Sequence, residues 1–361
     1  MPRIKLEPRA RSSRPMTYLS PLLAVVLTLI GAAILFAILG RDPLTAYRAF
    51  FIDPLATRYG LGELAVKGAP LILCAIGLAI GFRANVWNIG AEGQFILGAI
   101  AGGGVGLFLE PMLGALTMPA MLVAGALGGL LWAAIPALLR TRFNANEILT
   151  SLMLTYVAQL LLIYLVRGPW RDPQGYNFPQ SKTFDGYAVL SPFFTGTRVG
   201  LGALLALLAV AGGWFLLSRS FLGYQIKVIG LTQAAAAYAG FNQKRVVWFC
   251  LTFSGALAGL AGVNEVAGPI GQLVPTVSPG YGFTAIIVAF LGRLQPFGIL
   301  LAGLVVALSY LGGEAAQISL GLPVAVVGVF QGMLLFFLLA CELLVRYRVV
   351  IGAPAAQSIA A

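Results

Sequence analysis

The sequence predicts an all-α, polytopic membrane protein of about ten transmembrane helices, with both termini cytoplasmic. Three observations carry this. First, 59% of the 361 residues are hydrophobic and only 10% are charged, and mean hydropathy is +0.92, whereas soluble domains run at about 45–50% apolar and about 25% charged. Second, apolar runs long enough to cross a hydrocarbon layer of about 30 Å recur along the chain. Third, the charges sort by side once those runs are threaded through a membrane.

The elements follow in order. Residues 1–18 form a basic cytoplasmic tail carrying Arg3, Lys5, Arg9, Arg11 and Arg14. The run Leu19–Leu39 exceeds a signal-peptide core and is not closed by an A-x-A-like site, so it reads as an uncleaved first span. Further spans are expected at Glu63–Gly81, Ile89–Leu109, Ala115–Leu139, Ile148–Val166, Val199–Leu217, Val246–Asn264, Phe283–Leu291, Phe297–Leu311 and Leu322–Leu344. Together residues 19–345 make one transmembrane domain, and 346–361 a second cytoplasmic tail. Small-xxx-small spacing (Gly98/Gly102/Gly106, Gly125/Gly129, Gly255/Gly259) suits closely packed helices.

With this threading, fifteen basic and three acidic residues face the cytoplasm, eight of each sign face outward, and Glu92 alone lies within a span. Cytoplasmic loops are enriched in Lys and Arg, so the net charge of +11 records orientation and leaves nothing that calls for nucleic acid as a partner. Zero histidines remove His-based acid–base relays, Ser-His triads and His-ligated metal. Cys74, Cys250 and Cys341 sit apart in apolar runs and read as small buried hydrophobes. No G-x-x-x-x-G-K-[ST] phosphate loop is present.

Two loops stand out by length. The extracytoplasmic loop 167–198 is rich in Pro, Gly and aromatics, which favour the membrane interface. The cytoplasmic loop 218–245 contains Thr232, a residue type that caps helices, followed by Gln233, Ala234, Ala235, Ala236, Ala237, Tyr238 and Ala239, with Gly240 placed to end the turn. These residues suit either an ordinary connector or a narrow helix that docks on a partner. Polar residues entering a span are functional candidates by default. Asn85, Trp87, Asn88, Glu92 and Gln94 are such a group; if helical, Asn85, Asn88 and Glu92 share one face. They suit a solute pathway, or hydrogen bonds between helices. Asn264 and Glu265, followed by Pro269, Pro275 and Pro279, suit an outer gate or a surface loop.

The segment Arg83-Ala-Asn-Val-Trp-Asn-Ile-Gly-Ala-Glu-Gly-Gln-Phe95 resembles a hallmark of ABC-importer permeases of the nucleoside/simple-sugar class, part of the branched-chain amino acid and sugar permease family. Ala236–Phe241, Ser254–Gly262 and Gly280–Arg293 are similar to other parts of that class, in the same order, between about residues 20 and 345. Members often carry Asn-Pro where this chain has Thr232-Gln233. The resemblance implies that residues 233–240 form a coupling helix and that spans 2–5 and 7–10 form an inverted pair of repeats. It also implies a non-catalytic transport subunit in a bacterial inner membrane, binding no cofactor itself. Its expected partners are ATP- and Mg-using ABC ATPase subunits, a second related permease, an extracytoplasmic substrate-binding lipoprotein and membrane lipid. Nucleosides or purines are the first expected cargo and simple sugars the second. An ion-coupled secondary transporter is the alternative; it would place more acids within spans than Glu92 alone.

Overall fold

The computed structural model describes residues 3–8, 14–323 and 325–352; residues 1, 2, 9–13 and 353–361 of the two expected tails lie outside the described residues. The helices are α1 (Arg14–Ile38), α2 (Pro43–Tyr47), α3 (Arg58–Arg83), α4 (Ala91–Phe108), α5 (Glu110–Leu113), α6 (Thr117–Phe143), α7 (Glu147–Arg167), α8 (Leu201–Arg219), α9 (Phe221–Leu231), α10 (Gln233–Tyr238), α11 (Gln243–Glu265), α12 (Tyr281–Leu291), α13 (Pro296–Leu320) and α14 (Ala325–Arg346). Eight of them, α1, α3, α4, α6, α7, α8, α11 and α13, are long and apolar enough to cross a membrane; α14 has 22 residues.

The chain divides into two compact units, residues 1–50 with 313–361, and residues 51–312. In the first, β1 (Arg3–Pro8) pairs antiparallel with β2 (Tyr347–Gly352), Arg3 opposite Gly352 and Pro8 opposite Tyr347. The architecture is all-α as expected, with this one short strand pair beside the helices. That pairing brings the start of α1 and the end of α14 close together. Phe36, Phe50 and Phe330 pack as an aromatic cluster, and Asp42 caps α2 by accepting from the Thr45 N–H at 2.8 Å.

In the second unit, polar residues start the helices where sequence grammar places them. Thr57 Oγ1 accepts from the Gly60 N–H at 3.0 Å, Asn146 Oδ1 from Ile148 N–H at 2.9 Å, and Asn242 Oδ1 from Arg245 N–H at 3.1 Å. The core is the meeting of α4, α6 and α11, whose backbones touch at glycine. A Cβ at Gly259 would lie 2.1 Å from the Gly125 carbonyl oxygen, and one at Gly98 would lie 2.2 Å from Gly259 Cα. Only glycine permits this approach.

The expected eighth span is different in kind. α12 has 11 residues, a rise of about 16 Å, half of what a crossing needs. It is preceded by a short π-helical turn, Val266–Ile270, and irregular chain to Gly280. Prolines 269, 275 and 279 deny this stretch a continuous helix. Its backbone groups are satisfied by the long loop instead: Ser181 N–H donates to Leu273 C=O at 2.9 Å, Phe184 N–H to Gly271 C=O at 2.7 Å, and Leu190 N–H to Ala267 C=O at 2.8 Å. Gln159 of α7 donates to Pro275 C=O at 2.8 Å. Leu273 and Val277 are fully buried. Irregular backbone enclosed by protein in this way is tolerated at membrane depth.

Candidate functional site

The loop between α3 and α4 is where the sequence placed its first polar group. It is not helical: residues 84 and 85 turn, 86–89 have no regular structure, and α4 begins only at Ala91. The shared helical face expected for Asn85, Asn88 and Glu92 does not form. Asn85 is exposed, with left-handed backbone at φ 58°, a conformation Asn tolerates better than most residues. The turn directs Asn88 inward, where it meets Gln94 of α4 and Ser254 of α11. Asn88 Nδ2 donates to Gln94 Oε1 at 2.8 Å and to Ser254 Oγ at 3.0 Å, while Gln94 Nε2 donates back to Asn88 Oδ1 at 3.1 Å. All three are buried, so each lone pair and proton used here replaces one lost to water.

Glu92 takes another partner. It is 6% exposed, and its Oε2 accepts from the Gly282 N–H at 2.7 Å. Gly282 opens α12, so the carboxyl satisfies one of the four amides that a helix start leaves without an intrahelical acceptor. The fit is close: a Cβ on Gly282 would lie 2.3 Å from Glu92 N and 2.5 Å from its Cα. Glu92 thus holds the half-helix to α4. Trp87 closes the other end of α12. Its ring centroid lies 4.9 Å from Phe82 and 6.1 Å from Phe290, and its backbone N–H donates to Glu147 Oε1 at 3.3 Å.

Asn264 and Glu265 are also buried, at the end of α11. Asn264 lies against Gly202 and, with Arg198, Pro192 and Pro269, lines a cavity of about 80 Å³. Sequence reasoning missed the ion pair beside it. Arg198 Nε donates to Glu63 Oε1 at 2.8 Å and Nη2 to Glu63 Oε2, a bidentate geometry. The hydrogen bonds it donates to Glu63 hold the Arg198 guanidinium above its ordinary pKa, against an opposing effect of burial. Glu63 was expected at the outer end of its span. α3 starts earlier, at Arg58, so its carboxyl lies inside the helix and is buried; Glu92 is not the lone acid in a span. The signal was Arg198, the basic residue closing the long loop.

The loop 218–245 holds two helices where one was expected. Ser220 caps α9, accepting from Gly223 N–H at 2.9 Å. Gly230 of α9 packs against the end of α3, where a Cβ would lie 1.8 Å from the Arg83 carbonyl oxygen. α10 starts after Thr232, whose hydroxyl makes no capping bond. It stops at Gly240 with φ 75°, where Phe241 N–H donates to Ala236 C=O and Gly240 N–H to Ala237 C=O, both at 3.0 Å, a Schellman ending. Of α10, Ala236 alone is buried; Tyr238 is 98% exposed.

This arrangement has relatives. The chain is 37% identical over 358 residues to the glucose ABC transporter permease protein TsgB13 of Haloferax volcanii, covering 96% of this chain and 93% of that one. It is 30% identical to the guanosine ABC transporter permease protein NupP of Bacillus subtilis (88% and 92% covered). It is 27% identical to the nucleoside ABC transporter permease protein NupB of Lactococcus lactis (95% of each). Residues 60–339 match the family described as the permease component of branched-chain amino acid transport systems, and the chain belongs to that family.

Proposed function

We propose that this ABC permease is one membrane subunit of an ATP-driven importer that takes up a small hydroxyl-rich solute, a nucleoside first and a simple sugar second, by alternating access. The observation that carries the reading is the position of α10: a rigidly terminated helix with nearly all its surface exposed, continuous through α9 with the loop that holds Asn88 and Trp87. Relatives named for guanosine, nucleosides and glucose support the solute class. ABC ATPase subunits bind α10 from the cytoplasm, a second permease completes the pathway, and a substrate-binding lipoprotein delivers cargo outside the cell membrane.

Closure of the ATPases pushes α10 and α9 as one body. Gly230 passes the displacement to the Arg83 carbonyl, and Trp87 passes it to Phe290 at the end of α12. Glu92 and Gly282 keep the other end of α12 tied to α4, so the half-helix tilts and does not slide. Asn88, Gln94 and Ser254 hold α4 to α11 during that tilt, and the Glu63–Arg198 pair holds the outer loop to α3. This chain performs no covalent chemistry; ATP and Mg are used by the partner ATPase.

Reconstitution of the chain with its ATPase, second permease and lipoprotein into liposomes tests this. Labelled guanosine or glucose is expected to accumulate only with ATP on the ATPase side. Accumulation by this chain alone, driven by a proton or sodium gradient, would establish the secondary-carrier alternative instead.

A further inference from the structure

One cleft in the second unit shares Gln233 with α10 but is otherwise built from residues given no role above. It has a volume of about 460 Å³ and lies where the last turn of α6 meets the first turns of α10 and α11. Its walls are Arg140, Thr141, Arg142, Asn144, Gln233, Gln243, Lys244 and Val247. Three walls are cationic, four are neutral hydrogen-bonding groups, and no acid lines it. Arg140 is matched by Glu147, which stands outside the cleft. Arg142 and Lys244 are exposed and give the cleft its net positive charge.

The frame is fixed by bonds between its elements. Trp248 Nε1 donates to Thr141 Oγ1 at 3.0 Å, joining α11 to α6. Gln243 Nε2 donates to Gln233 C=O at 3.0 Å, joining α11 to α10. Leu138 and Phe143, on the same end of α6, are exposed. Exposed apolar side chains beside a basic cleft at the end of spanning helices mark the boundary between hydrocarbon and headgroups, where basic pockets between helices select anionic lipid. A carboxylate from a soluble partner would leave those apolar side chains uncovered; a lipid covers them with its acyl chains.

We propose that this cleft binds the phosphodiester headgroup of an acidic phospholipid, with Arg142 and Lys244 as the charged contacts and Asn144 and Gln243 as neutral ones. The bound headgroup bridges α6 to the start of α10. The proposal rests on the cytoplasmic placement of α10 given above, but lipid binding is measured without transport, so the two fail separately.

The test uses the full-length chain purified in neutral detergent and a fluorescent phosphatidylglycerol. Wild type is expected to bind it in preference to fluorescent phosphatidylcholine. R142Q/K244Q is expected to bind about 30-fold more weakly, roughly fivefold for each charge. R142K/K244R is expected to restore binding. R219Q/K227Q, which removes two charges outside the cleft, is expected to leave it unchanged, and matching melting temperatures establish that all variants are folded. Equal affinity for phosphatidylcholine, or undiminished binding by R142Q/K244Q, would overturn the proposal. So would displacement of the lipid by inorganic phosphate at similar concentration, which would assign the cleft to a soluble anion.

Discussion

The contact between Glu92 and Gly282 separates two roles for the one acid of the segment Arg83–Phe95. If Glu92 anchors α12, Glu92→Ala removes the acceptor of a buried amide at 2.7 Å. An unsatisfied buried donor costs about 1–3 kcal/mol, and the small cavity left by the side chain adds to that. A loss of about 2 kcal/mol corresponds to a roughly 30-fold rise in the opening equilibrium of the half-helix. Glu92→Gln retains an oxygen acceptor and is expected to lose about half as much. The assay is amide hydrogen exchange, followed by mass spectrometry, on peptides covering residues 278–291 of the purified chain, with peptides from α8 as the internal reference. Protection should fall selectively in 278–291 for Glu92→Ala, and less for Glu92→Gln. Unchanged protection together with abolished transport would refute the anchoring argument, because Glu92 would then act on the solute and not on the helix.

Four other outcomes follow from the packing. Arg198→Ala leaves the buried Glu63 carboxyl without its partner and should cost about 3 kcal/mol, the lower end of the range for broken buried pairs, because Arg198 is itself half exposed; denaturant titration measures the loss, and Glu63→Gln added to Arg198→Ala should recover part of it. Because the folded-state pKa of Arg198 is raised, its contribution is complete below the ordinary guanidinium range and is lost only above it, so stability measured from about pH 7 to about pH 10 should show no loss from this group. Gly259→Ala drives a methyl group into the Gly125 carbonyl and should destabilise by about 1–3 kcal/mol, whereas Gly212→Ala on α8, with nothing within 4 Å, should be neutral or stabilise by up to about 1 kcal/mol; paired thermal melts compare them. A double-mutant cycle of Asn88→Ala and Ser254→Ala should give a coupling of about 1 kcal/mol in stability, and additive effects would show that the bond from Asn88 to Ser254 contributes nothing.

The helices were legible because long apolar runs in a chain this hydrophobic have few alternatives, and Gly240 marks the end of α10; the caps at Thr57, Asn146 and Asn242 were not read, so the span that α3 forms was expected to start at Glu63 instead of Arg58. The half-helix was not. Phe283–Leu291 is apolar enough to count toward a span, and nothing local says that the preceding prolines descend into the bundle. That depends on hydrogen-bond partners at Gln159 and at residues 181–190, between 77 and 116 positions earlier in the chain. The same limit applies to the polar groups. Residue type singled out Asn88, Glu92 and Gln94, but their spacing suggested one helical face, and only the turn at Asn85 sends Asn88 and Glu92 to different partners. Glu63 escaped notice because its burial depends on Arg198, far away in sequence. The strand pair formed by the tails depends on contact between the two ends of the chain and leaves no mark in hydropathy.

The central claim is that α10 couples ATP use to movement of this permease, and Ala237→Glu tests it most directly. Ala237 is exposed on α10, so the substitution should leave the melting temperature of the chain unchanged while placing an unpartnered charge against the ATPase. Uptake by the complete transporter in liposomes should then fall at least about tenfold, the equivalent of about 1.4 kcal/mol lost at the interface. Uptake equal to wild type, with the charge in place and the complex intact, would contradict the account.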